Sequence, residues 1–268
     1  MPFSEKPTVI KQFTNGLNHH TYLLFSNDKK FVLKLFSQNA SRAILAQEIT
    51  SKKYLSPEIL YVNENKDTIV MNYLSAETNK DNASITSLAQ TLKEVHSLPY
   101  SDIEADLGRF DVLAFIKQYK NEIGKTDTLI NNLDQQLTPV IDIYLNDPTP
   151  WRFCHNDLVK ENCLISQNEN TLKTLFIDWE YAQINNPWFD IASIIQYFKL
   201  NKKQTTQFIQ NYQPSLAKQI NSPIYSAAQC VVLWLDLLWH TANKTIQPIN
   251  KREKLRQLKI QIKNHYKN

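Results

Sequence analysis

The stretch His155-Asn156-Asp157-Leu158-Val159-Lys160-Glu161-Asn162 is followed, sixteen residues past Asn162, by Asp178 within Phe176-Ile177-Asp178-Trp179-Glu180-Tyr181. These two segments hold the densest set of chemistry-bearing side chains in the chain. Phosphoryl transfer needs few protein parts: a carboxylate beside the attacking hydroxyl, oxygen ligands for magnesium at the β- and γ-phosphates, and a cation on the other phosphate oxygens. Asp157 can be the carboxylate. Asn162, five residues on, offers a neutral carbonyl oxygen and Asp178 a charged one, and so sparse a ligand set suits magnesium, which keeps several waters.

Outward from this region the hydrophobic period sorts the chain into two parts. Residues 8–36 read as strands: Thr21–Phe25 and Phe31–Phe36 flank a turn at Ser26-Asn27-Asp28-Lys29, a hairpin signal. Residues 40–55 read as a helix with Ser41 as N-cap, closed by Pro57, and short strands follow near Ile59–Val62 and Thr68–Tyr73. From residue 84 the period turns helical, with Ile85, Leu88, Leu92 and Val95 on one face, Ser84 as cap and Pro99 as terminator. Residues 110–145 read as one or two helices, Arg152–Cys154 and Thr174–Ile177 as short strands, and everything after 188 as helix. The expected fold class is α+β in two lobes: a small antiparallel-sheet lobe with one helix over 1–74, a crossing segment near 71–76, and a mainly helical lobe over 75–268. Ligands often bind between such lobes.

The spacing Asp157-x4-Asn162 with a later Asp178 is that of the protein-kinase catalytic loop and metal-binding aspartate. The wording His-Asn-Asp-Leu-x3-Asn, then Ile-Asp-Trp-Glu-Tyr-Ala, then Asn185-Asn186-Pro187-Trp188-Phe189-Asp190-Ile191-Ala192, is closer still. It resembles the choline/ethanolamine kinase and aminoglycoside phosphotransferase superfamily, including bacterial thiamine kinase-like enzymes, over roughly residues 9 to 245. The resemblance implies a protein-kinase-like fold and a small-molecule kinase that takes ATP and Mg2+. Asp157 would be the catalytic base, with Asn162 and Asp178 on the metal. Lys34 would be the strand lysine at the α/β-phosphates and Glu48, on the next helix, its ion-pair partner, with Glu58 a weaker rival. Asn15-Gly16-Leu17-Asn18 resembles the short phosphate-covering hairpin, with Asn18 near the nucleotide. Ile69–Leu74 takes the hinge position, so Asn72 and Tyr73 would meet the adenine edge, while Met71 reads as core nearly as readily. His155 and Asp190 would be structural supports of the catalytic loop.

The acceptor implied is the hydroxyl of a small alcohol, with a cationic one favoured. Quaternary ammonium groups are often held by aromatic faces near an acid. Tyr181, Trp188 and Trp239 are the aromatic candidates, with Trp234 beside them, and Glu180 and Asp236 are the acids; Glu180 could equally support the metal. In choline kinases the resemblance implies two aromatics three apart on the late helix, and here Asp236 stands in the first of those places. Choline, ethanolamine and thiamine come first as acceptors; aminoglycosides, homoserine and methylthioribose remain open. From other classes, a nucleotide-binding pseudokinase and an interaction module also stay open.

The 268 residues carry a formal +4, of which residues 251–268 supply seven Lys/Arg against one Glu. A basic helix of this kind can meet nucleic acid or an anionic membrane, but Leu255, Leu258 and Ile262 read as an apolar stripe under a solvated face. No nucleic-acid or membrane partner is therefore expected. Cys154, Cys163 and Cys230 lack metal or disulfide spacing and fit a reducing cytoplasm. No stretch reaches the apolar length of a membrane span, and Met1–Lys11 lacks a signal-peptide core.

Overall fold

In the computed structural model, the structure describes residues 3, 5–13, 19–74, 84–101, 103–124, 127–168, 171–245 and 248–266. The N-terminal lobe is a five-stranded antiparallel sheet of β1 (Thr8–Phe13), β2 (His20–Ser26), β3 (Lys29–Leu35), β4 (Ile59–Val62) and β5 (Thr68–Asn72), ordered β1-β2-β3-β5-β4. Asn27 and Asp28 turn β2 into β3 with φ of 50° and 58°. Two positive-φ residues match the right-handed twist of a tight hairpin, and Asn and Asp tolerate that region. The register pairs Thr21 with Lys34 and Lys34 with Ile69, which fixes the lysine in the middle strand.

Helix α1 (Ser41–Ser51) leans on the sheet. Ser41 is its first helical residue rather than its N-cap. The backbone N–H and hydroxyl of Ser41 both donate to Asn39 Oδ1, at 3.0 and 2.7 Å. Ile44 packs with Ile69 and Met71 in a small sheet-side core, while Ala46 and Leu55 join the main core of the other lobe. The Leu55 carbonyl accepts the Phe176 N–H at 2.9 Å, which ties the end of this region to the segment that leads into Asp178.

The C-terminal lobe contains α2 (Ile85–His96), α3 (Glu104–Leu107), α4 (Val112–Ile123), α5 (Thr128–Leu145), then β6 (Arg152–Cys154), β7 (Cys163–Asn168), β8 (Thr171–Phe176) and β9 (Gln183–Asn185), then α6 (Trp188–Tyr197), α7 (Lys202–Tyr212), α8 (Pro223–Ala242) and α9 (Pro248–His265). Side-chain oxygens of Ser84, Asp111, Asp127, Asn201 and Ser222 accept first-turn N–H groups, which sets the helix starts. Helix α8 is apolar on most of its faces because α4, α5, α6 and α9 all pack on it. The basic α9 buries Leu255, Leu258 and Ile262. The short pairs β6–β9 and β7–β8 carry the polar loops between them. No described helix is long and apolar enough to cross a membrane.

Leu55 is fully buried where the two lobes meet. Leu55→Ala is expected to cost about 2–5 kcal/mol, the usual range for a buried leucine whose surroundings relax only partly. Urea denaturation followed by tryptophan fluorescence measures it; a loss below about 1 kcal/mol would show that the contact does not join the lobes.

Candidate active site

Between the sheet and the helical lobe lies a cavity of about 360 Å³. His19, Thr21 and Lys34 come to it from the sheet, Asp157, Asn162, Asp178, Glu180 and Tyr181 from the polar loops, and Phe115, Tyr119, Tyr197, Asp236 and Trp239 from the helices.

The loop that carries Asp157 is held from beneath by Asp190, fully buried in the first turn of α6. Its two oxygens accept the backbone N–H groups of His155 and Asn156, each at 2.8 Å. His96 Nε2 lies 3.0 Å from the same carboxylate, and its Nδ1 is 2.8 Å from the Tyr212 hydroxyl. Cys154 Sγ, His96 and Asp190 are close enough to suggest a metal site. The two loop N–H groups already use the Asp190 oxygens, and burial and the Asp190 charge push the Cys154 thiol up, so the cluster is a loop clamp.

His155 is fully buried. Its Nε2 donates to the Ile177 carbonyl at 2.9 Å and its Nδ1 accepts the Asp157 N–H at 3.3 Å, which fixes a neutral imidazole. Burial lowers its pKa, in keeping with that form. Asn156 adopts φ 64° and Asp178 φ 69°. Such backbone persists only where surroundings over-determine it. For Asn156 they do: its side chain donates to the Tyr181 carbonyl at 2.9 Å and accepts from Asn185 Nδ2 at 2.7 Å.

Asn162 Nδ2 donates to the Asp157 side chain and to its carbonyl, both at 2.9 Å. The Asn162 amide oxygen is thereby turned away from Asp157, and its backbone carbonyl accepts the Ile177 N–H at 2.9 Å, one residue before Asp178. Asp157 is pushed up to about 7, first by burial and then by the charge of Asp178, against the Asn162 hydrogen bond.

Lys34 Nζ lies 2.7 Å from Asp178 and 2.8 Å from Glu180. Burial would lower the lysine's pKa, but the two carboxylates outweigh it and raise it. Glu180 also accepts from His19 Nε2 at 2.7 Å, and with Lys34 this overcomes burial and lowers its pKa. Asp178 stays raised, chiefly by burial and also by Glu180. Three carboxylates thus face the cavity mouth with one lysine among them. Asn162 and Asp178 supply hard oxygen donors there, a set that fits a small divalent cation.

The expected Lys34–Glu48 pair is not formed. Glu48 is half-buried on α1, whose rotation is set by Gln47: its Nε2 donates to the Pro57 carbonyl at 3.0 Å and meets Met71 Sδ at 3.3 Å. The lysine turns into the cleft instead. Glu58 accepts from Asn72 Nδ2 at 3.0 Å. Tyr73 lies beneath Lys30, and neither Asn72 nor Tyr73 is part of the cavity wall. Asn18 and its loop lie outside the described residues. Trp188, expected at the acceptor, is fully buried instead and packs edge-on to Tyr225 at 5.9 Å; Trp234 is equally buried. Tyr181, Glu180, Asp236 and Trp239 do line the cavity.

Sequence reasoning missed His19, His96, Tyr212, Phe115, Tyr119 and Tyr197. Phe115 and Tyr119 share a face of α4, and Phe115 stands 6.2 Å from Tyr181. A polar residue at the end of an apolar helix face was the available signal for His96; the aromatics gave none that separates cavity from core.

The two-lobed arrangement, with lysine on the middle strand and the carboxylate loops below it, defines a protein-kinase-like fold. The chain belongs to the phosphotransferase enzyme family, whose model matches residues 9–219. Protein LicA of Haemophilus influenzae is 41% identical over 68 residues, a quarter of this chain (25%) and 24% of that protein. A LicA homolog of Mycoplasma capricolum is 22% identical over 84% of this chain and 80% of its own length. Among solved structures, choline kinase LicA from Streptococcus pneumoniae superposes with a TM-score of 0.77 at 17% identity, over 97% of this chain and 95% of that one. The family makes the chain a phosphotransferase, and these solved structures share its fold.

Because Asp157 is raised, the folded chain keeps a proton between about pH 4 and 7 that the unfolded chain has released. Stability therefore falls as pH rises through that window, and above it the buried charge weighs on the fold. Asp157→Asn is expected to stabilise the nucleotide-free protein at pH 8 by on the order of 1–3 kcal/mol while lowering kcat about 10²–10⁴-fold. Thermal denaturation at pH 8 beside steady-state rates checks both; a less stable variant would contradict the buried-charge reading.

Proposed function

We propose that this kinase transfers the γ-phosphoryl group of ATP to the hydroxyl of a small cationic alcohol of the choline, ethanolamine or thiamine class. The observation that carries the reading is the convergence of Lys34, Asp157, Asn162 and Asp178 on a single cavity that Phe115, Tyr119, Tyr181 and Trp239 also line. Aromatic faces attract a cation through their negative π-surface.

In this reading Lys34 leaves Asp178 and Glu180 to hold the α/β-phosphates, and Glu180, linked to His19, keeps the sheet edge against the loop. Asn162 and Asp178 would hold magnesium, which would neutralise charge building on the phosphate oxygens. Asp157 lies at the junction of the phosphate end and the aromatic end. It orients the acceptor hydroxyl and takes its proton as the oxygen bonds to phosphorus and the bond to ADP breaks; a carboxylate near neutrality is well matched to that task. The backbone at Asn72 and Tyr73 is assigned to the adenine edge, and the boundary between lobes to the segment after residue 74. The three cysteines are free and buried, which fits a reducing cytoplasm.

The test is ADP release from magnesium-ATP by the purified chain against choline, ethanolamine, thiamine, homoserine, methylthioribose and kanamycin. A cationic alcohol is expected to stimulate release at least about tenfold over the acceptor-free rate. Stimulation only by the neutral sugar, only by kanamycin, or by none would contradict the assignment.

A further inference from the structure

Asp236 projects from α8 into the aromatic end of the cavity, where a free acid would seize an ammonium group. It is not free. Lys254, from α9, pairs with Oδ2, and His240 Nε2 lies 3.4 Å from Oδ1. His240 is in turn fixed through Nδ1, 2.8 Å from the Thr245 hydroxyl. The Asp236 side chain is 13% exposed, so little room is left for a further partner. The other carboxylates are committed too: Asp178 and Glu180 to Lys34, Asp157 to Asn162 and the reacting hydroxyl, and the exposed Glu161 to a contact of its own.

Two kinds of cationic alcohol respond differently to such a pocket. A primary ammonium carries three N–H donors, and each must find an acceptor when it leaves water. A trimethylammonium has no N–H; it needs aromatic faces and a diffuse negative field. Tyr119, Tyr181 and Trp239 supply the faces, and five carboxylates against Lys34 and Lys254 supply the field. That field acts on either cation alike, so what discriminates is whether a carboxylate is left to accept from the N–H groups.

We infer that Lys254 sets acceptor specificity: by occupying Asp236 it makes the cavity select a fully methylated ammonium alcohol over a primary amino alcohol. The inference rests on the cationic-alcohol reading above and adds a residue to it, from a helix outside the cavity lining. Specificity built this way withholds a partner from the wrong ligand as well as offering contacts to the right one.

The experiment compares kcat/KM for choline and ethanolamine in the full chain, in Lys254→Met, in Lys254→Gln and in the double variant Lys254→Met/Asp236→Asn. The wild type is expected to prefer choline about tenfold or more. Either single variant takes the lysine charge off Asp236, leaving it with His240 and Tyr197, and lowers that ratio about tenfold, through a smaller KM for ethanolamine, and the double variant loses the gain. A Lys254 that merely braces α9 against α8 would depress both substrates together and leave the ratio alone. A ratio within about twofold of wild type in both single variants, or a wild type that prefers ethanolamine, overturns the inference while the kinase reading stands. Turnover of neither alcohol by the wild type overturns the inference, and turnover of none of choline, ethanolamine and thiamine removes the cationic-alcohol reading as well.

Discussion

Lys34 held between Asp178 and Glu180 is the interaction on which the rest of this site depends. It runs from the middle strand of the sheet to the loop after β8, and it is the ammonium that allows carboxylates to share a partly buried cleft. Like charges brought together out of water resist ionisation unless a cation is near. With one lysine for three carboxylates, Glu180 is well served, Asp178 less so, and Asp157 is left near neutrality. The raised Asp157 and Asp178 follow from the same shortage of positive charge, and they suit the base and metal-ligand roles proposed for them.

Such a cluster keeps its geometry only on a rigid support. Asp190 supplies it by accepting two consecutive N–H groups of the catalytic loop, and His96 and Tyr212 hold Asp190 in place from helices far apart in sequence. Asn156 and Asp178 both take left-handed backbone, a region that Asn and Asp tolerate, and the bonds of Asn156 to Tyr181 and Asn185 fix it there.

The polar loops were legible because a phosphoryl-transfer site would need these residue types at short spacing: Asp157, Asn162 and Asp178 fall within one stretch, strand periodicity isolates Lys34, and all four line one cavity. The helices were legible as helices, but not which of their faces meet the cavity. Trp188 and Trp239 both read as aromatics on apolar helices; one is core and the other cavity wall. Helical period alone cannot separate those fates, since both faces are apolar. Pairings across long sequence separation were invisible as well. Lys34 finds Glu180 rather than Glu48 because the rotation of α1 is decided by Gln47, and Asp236 meets Lys254 because α9 folds back on α8.

The Lys34 cluster is proposed as the phosphate site. Calorimetric titration of a non-hydrolysable ATP analogue with magnesium, into wild type and Lys34→Met, tests it most directly. The methionine variant is expected to stay folded and to bind at least about tenfold more weakly, since an ammonium is then missing from the phosphates. Equal affinity in the two proteins would contradict it and place the nucleotide elsewhere.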